Sequence, residues 1–162
     1  VVETTGESAS IAMLDQDFAR YIAHVPAEYS MRMFTEVGNQ VSLHASGVGK
    51  AILAYLPPDE ARAILNRSGL RGFTVNTMDN IDDVMTELAT TRAQGFALDR
   101  EEREVGVKCV ALPIPGPLCL SISVSGPPQR LTDDEIASVA LPALRAAVAE
   151  ITPVIRMAVL DG

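Results

Sequence analysis

Val107-Lys108-Cys109-Val110-Ala111-Leu112-Pro113-Ile114 and Leu118-Cys119-Leu120-Ser121-Ile122-Ser123-Val124-Ser125 are two apolar runs separated by Pro115-Gly116-Pro117. Runs of this length divided by turn-forming residues predict a β-hairpin. Centring the turn on Gly116 sets Cys109 opposite Ser123 and Ala111 opposite Ser121, within a slip of one or two residues. Side chains alternate across a strand, so Ser121, Ser123 and Ser125 share a face with Cys109 and Ala111, while Val110, Leu112, Leu120, Ile122 and Val124 take the other. The apolar face can pack under helices. The small polar face either meets bulk water or lines a cavity with hydrogen-bond donors, and the pattern by itself favours water. The same register puts Cys119 opposite Pro113, about 13 Å from Cys109 at roughly 3.3 Å per residue. A disulfide needs Cα atoms within about 7 Å, so the thiols stay separate.

Upstream of the hairpin, Asp99-Arg100-Glu101-Glu102-Arg103-Glu104 reads as a solvated charged face, with a metal at the Asp99, Glu101 and Glu102 carboxylates as the lesser alternative. Before it, Ile81, Val84, Met85, Leu88 and Arg92 recur every three or four residues between a capping Asp79 or Asn80 and Gly95, which predicts an amphipathic helix. Residues 59–66 form a second helical pattern, with Gly69 just beyond it as a C-cap. Ala51, Ile52, Tyr55 and Leu56 form a third, starting near Ser46-Gly47-Val48-Gly49-Lys50 and stopped by Pro57-Pro58. Towards the N-terminus, the alternation of Ser10, Ala12 and Leu14 with Ile11 and Met13, followed by residues 18–25, predicts a first hairpin around Asp15-Gln16-Asp17. Residues 29–37, with Met31 and Met33 on one side and Arg32 and Phe34 on the other, read as extended. Downstream, Thr132-Asp133-Asp134-Glu135 has the form of a capping box, and apolar positions through residue 159 predict a long helix with a break before Pro142 or Pro153. No internal repeat or linker is visible, which predicts a single α+β domain over residues 1–162 built on an antiparallel sheet.

Composition removes several functions. With 162 residues and 48% hydrophobic content the chain can bury a real core, so disorder is excluded. Thirteen Lys and Arg against 21 Asp and Glu leave a net charge of -8, a poor phosphate-binding surface, so direct DNA binding by these residues is not expected. No apolar run approaches the roughly 20 residues of a membrane span, and the first residues lack a signal peptide's basic start and apolar stretch. The expected location is the cytoplasm, with no membrane partner. Two cysteines, two histidines and no Cys-x-x-Cys predict no metal site and no cofactor. Ser46-Gly47-Val48-Gly49-Lys50 lacks P-loop spacing and no Gly-x-Ser-x-Gly elbow exists, so nucleotide binding and hydrolysis are disfavoured and no catalytic residue is assigned.

The first turn of a helix leaves backbone N–H groups free, and a glycine there lets an anion approach closely. The Ser46-Gly47-Val48-Gly49 start and the serine row together would therefore suit a small carboxylate, although such glycines alone more often serve close helix packing. His44 reads as a core or capping histidine, Met31 and Met33 as adaptable core fillers that can also wall a cavity, and Cys109 as a small buried hydrophobe.

Leu43-His44-Ala45-Ser46-Gly47-Val48-Gly49-Lys50-Ala51, Gln94-Gly95-Phe96-Ala97, Asp99-Arg100-Glu101-Glu102, Gly106-Val107-Lys108-Cys109-Val110-Ala111 and Ile122-Ser123-Val124-Ser125-Gly126-Pro127 occur in that order. Over nearly the whole chain, this set resembles the C-terminal effector-binding domain of IclR-type bacterial transcriptional regulators. The resemblance implies a GAF-like, profilin-like fold, an antiparallel β-sheet flanked by helices. It implies that DNA is contacted only through an N-terminal winged helix-turn-helix domain, which is absent from these residues. It also implies an effector pocket at Gly47, Val48, Cys109, Ser123 and Ser125, with walls from Ser30, Met31 and Met33. The expected effector is a small organic or aromatic acid. The expected regulation is two-state control of DNA binding through rearrangement of a dimer or tetramer, without enzymatic activity. The short Pro115-Gly116-Pro117 turn departs from the family's longer polar loop. Two rival readings are a GAF-type thiol redox enzyme using Cys109 or Cys119, comparable to free methionine sulfoxide reductases, and an oligomerisation module without ligand.

Overall fold

Six antiparallel strands form one sheet in the computed structural model, which describes residues 1–33 and 35–160. In chain order they are β1 (Ser8–Asp15), β2 (Phe18–Val25), β3 (Gln40–Ser42), β4 (Ala97–Arg100), β5 (Lys108–Ile114) and β6 (Leu120–Gly126), arranged β3-β2-β1-β6-β5-β4 across the sheet. The first predicted hairpin is β1–β2, turned by Gln16 at φ 57°. The second is β5–β6, with a register two residues from the expected one: Cys109 pairs with Ser125, Ala111 with Ser123 and Pro113 with Ser121. The connection is centred on Pro117 rather than Gly116, because residues 115–119 all lie outside the ladder. An even slip preserves the faces, so the division into serine and aliphatic sides holds.

Among the described residues of the 29–37 stretch none is in a strand. The outer edge of β2 is occupied instead by residues 38–42: Gly38 N–H donates to Tyr21 O, Tyr21 N–H to Asn39 O, and Phe18 pairs with Ser42. Phe34, placed opposite the methionines in the sequence reading, lies outside the described residues. Asp99 and Arg100, expected in a solvated charged face, belong instead with Ala97 and Leu98 to β4, and Asp99 stands opposite Cys109.

The helices are α1 (Val2–Thr5), α2 (Gly47–Tyr55), α3 (Pro58–Ser68), α4 (Ile81–Gln94), α5 (Asp133–Glu135) and α6 (Leu141–Leu160). Their ends follow local chemistry. Asn80 Oδ1 accepts the N–H groups of Asp82 and Asp83 to start α4, and Thr132 Oγ1 accepts that of Glu135 to start α5. The break expected before Pro142 takes the form of a widened turn, Ile136–Ala140, in which Leu141 N–H donates to Ile136 O, whereas α6 continues through Pro153.

The aliphatic face of β5 and β6 packs Val110, Leu112, Leu120, Ile122 and Val124 against Leu131, Ile136, Ala140, Leu141 and Leu144. By length and composition the helical run over residues 133–160 could cross a membrane; here Ile136, Ala140, Leu141 and Leu144 are buried against the sheet, while Val154, Met157 and Leu160 are exposed. The opposite face of the sheet receives α2, whose Val48, Ala51, Ile52 and Leu53 pack with Ala12, Ala19 and Ala111. The serine row therefore does not face bulk water. Ser121 and Ser123 are buried, and Ser121 donates its hydroxyl hydrogen to Val48 O at 3.0 Å.

Candidate functional site

The α2 start rests directly on β5. A side-chain carbon on Gly47 would lie 2.7 Å from Cys109 Sγ, and one on Gly49 would lie 2.5 Å from Leu43 O, so both glycines are required for the close approach. Ser46 caps the helix by accepting Gly49 N–H at 3.1 Å, and its own hydroxyl donates to Ser42 O at 2.6 Å. The first-turn N–H groups of Gly47 and Val48 have no acceptor within the helix.

Beneath this start lies a cavity of about 50 Å³, walled by Gly47, Val48, Cys109, Ser125 and Met33 together with Tyr21, Val41, Asp99 and Arg103. Five of the eight expected pocket residues thus come together. Ser123 sits one pair further along the sheet, opposite Ser10 and Ala111. Ser30 and Met31 lie outside the cavity: both are exposed, and Met31 contributes only its carbonyl, which accepts from Arg130 at 3.0 Å. The reason is the missing strand, since an irregular segment at 29–33 does not present alternate side chains to one face. A larger hollow of about 430 Å³ lies elsewhere, between α1, β1, β2 and α6; its lining is mostly apolar and includes none of these residues.

Asp99 lines the cavity although it is not among the expected pocket residues. The charged run is not a solvated face at this position: Asp99 and Glu102 are 4% and 5% exposed, and Asp99 Oδ1 accepts Glu102 N–H at 2.8 Å. Glu102 is held by the fully buried Lys50, whose Nζ lies 2.9 Å from both carboxylate oxygens and 3.3 Å from Glu87. Only recognition of β4 as a strand would have turned Asp99 towards Cys109.

Three titratable groups of the cavity, Asp99, Cys109 and Tyr21, are pushed towards neutrality. Burial raises Asp99 to about 7, helped by the Glu102 charge and opposed by the Glu102 N–H and Lys50. Burial, then the Asp99 charge, raises Cys109 to about 12, and burial drives the Tyr21 phenol up as well. Cys109 is therefore a thiol at neutral pH, able to donate a weak hydrogen bond and poorly suited to nucleophilic attack. Among the described residues no group of three His, Cys, Asp or Glu is placed to hold a metal.

An antiparallel sheet flanked by helices, with a helix start seated over a small cavity, is the GAF-like architecture. It belongs to the IclR family: the profile described as "Bacterial transcriptional regulator IclR C-terminal" matches residues 1–152. The HTH-type transcriptional regulator BhcR of Paracoccus denitrificans is 35% identical over 150 residues, covering 91% of this chain and 54% of that protein. The transcriptional repressor IclR of Escherichia coli is 35% identical over 153 residues, covering 91% and 56%. The chain thus spans about half the length of these regulators. Among solved structures, the Thermotoga maritima IclR superposes with a TM-score of 0.88 at 32% identity, over 94% of this chain and 62% of that one. The inducer-binding domain of PobR from Acinetobacter, a double mutant in complex with 3-hydroxybenzoic acid, shares the fold with a TM-score of 0.84 at 22% identity, over 93% and 90%. The chain corresponds to the C-terminal domain of IclR-family regulators; the raised Cys109 thiol counts against a redox nucleophile there.

Proposed function

We propose that this domain binds a carboxylate of two or three carbons in the cavity under the α2 start. In the whole regulator, this binding would change how a self-associated pair or tetramer of such domains spaces its N-terminal winged helices on DNA. The observation that carries the reading is that the α2 start, with Gly47 and Val48 in its first turn, lines the same cavity of about 50 Å³ as Cys109 and Ser125, where helix-start N–H groups, a hydroxyl and a thiol are available as donors. That volume admits a few non-hydrogen atoms, which favours glyoxylate or pyruvate over an aromatic acid. The PobR domain's complex with a hydroxybenzoic acid shows that the architecture can hold an acid, and supports the class of ligand rather than its size. Regulation requires the acid to bind one arrangement of the assembly more tightly than the other; a tenfold preference supplies about 1.4 kcal/mol. The reading is of a non-enzymatic, cytoplasmic sensor.

Thermal-shift and calorimetric titration with glyoxylate and pyruvate test it. A ligand present at 100 times its dissociation constant adds about 2.7 kcal/mol to stability, which raises Tm measurably. Binding is expected in the parent chain and at least about tenfold weaker in Ser125→Ala, which keeps its fold. No shift with either acid, or equal affinity in the variant, overturns the assignment.

A further inference from the structure

Outside the cavity under α2, a hollow of about 410 Å³ opens between β3, the end of α3 and residues 71–73. Phe73 is part of its lining. The guanidinium carbons of Arg103 and Arg71 lie 4.1 Å and 5.3 Å from the ring centroid, and His44 stacks on the ring at 6.0 Å. This wall is built by specific bonds. His44 donates its Nε2 hydrogen to Arg71 O at 2.9 Å, and Thr77 Oγ1 accepts the N–H groups of Phe73 and Thr74 while donating to Glu102 O at 2.6 Å. The loops that carry the two arginines are thereby tied together.

Among the described residues neither Arg71 nor Arg103 forms an ion pair, whereas Arg20, Arg62, Arg67 and Arg130 each have a carboxylate partner. Asp17, the only acidic residue in the described lining, is taken by Arg67 at 3.0 Å. Ser42 Oγ, also on this wall, is buried without a hydrogen-bond partner. Two guanidinium groups without ion-pair partners beside the Phe73 ring give this hollow a positive wall on a chain whose net charge is -8. Its volume falls in the range of about 300–1,000 Å³ usual for small-molecule sites, unlike the cavity under α2.

We propose that this hollow is a second ligand site that takes a small polyanion, a di- or tricarboxylate or a phosphate, at Arg71 and Arg103 beside the Phe73 ring. Guanidinium groups pair with carboxylate and phosphate oxygens through parallel N–H bonds, and such charge-assisted contacts suit a dianion better than a monoanion.

Calorimetry of the 162-residue chain at constant ionic strength, with citrate and separately with inorganic phosphate, tests the proposal. Saturable binding of at least one probe is expected. It should weaken about tenfold or more in Arg71→Ala and in Arg103→Ala, and stay unchanged in Ser125→Ala. Arg71 is the discriminating position, because it does not line the inner cavity. Phosphate binding alone marks phosphate chemistry, citrate binding alone marks carboxylate chemistry, and binding of both marks a site for polyanions of either kind. Failure of both probes to bind, equal affinity in Arg71→Ala, or loss of affinity in Ser125→Ala overturns the proposal. Both arginines are exposed, so their variants should retain the parent circular dichroism and unliganded Tm. Glyoxylate titration of Arg71→Ala reports on the inner cavity separately, so failure of one site leaves the other standing.

Discussion

Asp99 brings a carboxyl group to the wall of a cavity assigned to an anion, and its proton decides whether it donates a hydrogen bond or repels. Tyr21 from β2, Cys109 from β5, Glu102 and Arg103 from the following loop and Lys50 from α2 surround it. Held up to about 7 chiefly by burial, Asp99 is neutral below that pH and charged above it. Glyoxylate affinity should be flat below pH 7 and fall about tenfold per unit above it, because binding then takes up one proton. Asp99→Asn should remove the slope; calorimetry between pH 6 and pH 9 checks both, and an affinity that rises with pH contradicts the assignment. The sign for stability is the same. The folded value lies above the unfolded one, so the contribution is fully present below pH 3.8 and is lost as pH rises towards about 7. At the same scale, Gly49→Ala drives a methyl group onto the Leu43 backbone, which cannot step aside, and should cost about 3 kcal/mol in urea unfolding.

Lys50 joins α2 to the loop after β4 and to α4. Lys50→Met leaves Glu102 buried without its cation, so a loss of about 3–5 kcal/mol is expected in urea unfolding, partly restored by adding Glu102→Gln. Thr132→Ala at the α5 start should cost only about 1 kcal/mol, because one exposed N–H loses its acceptor. Which elements were legible follows from length and parity. α4 has both a cap and repeated apolar positions. The two faces of β5–β6 follow from alternation alone and survive a two-residue error in the turn. β4 has only four residues, too few for alternation to separate a strand from the charged loop that follows. Gln40–Ser42 is shorter still and takes its place through tertiary contact with β2. The glycine start of α2 and the Cys109 and Ser125 positions were read from the motif set, whereas Asp99 and Tyr21 became visible only once the sheet was assembled.

For the whole molecule, charge sets the boundary of activity. At a net charge of -8, the isolated chain should show no duplex DNA binding at 150 mM salt in fluorescence anisotropy up to about 100 μM, the weak end of ordinary non-specific affinity. Micromolar binding would require a basic surface that the composition does not supply. The sheet order has a further consequence, for synthesis. β1 lies between β2, which follows it at once, and β6, so that Ser8 pairs with Ser125. A ribosome releasing about 5–20 residues per second leaves one edge of β1 open for on the order of ten seconds before β6 emerges. During that interval the open edge can template pairing with another nascent chain, so soluble yield should depend on translation speed and chaperone supply.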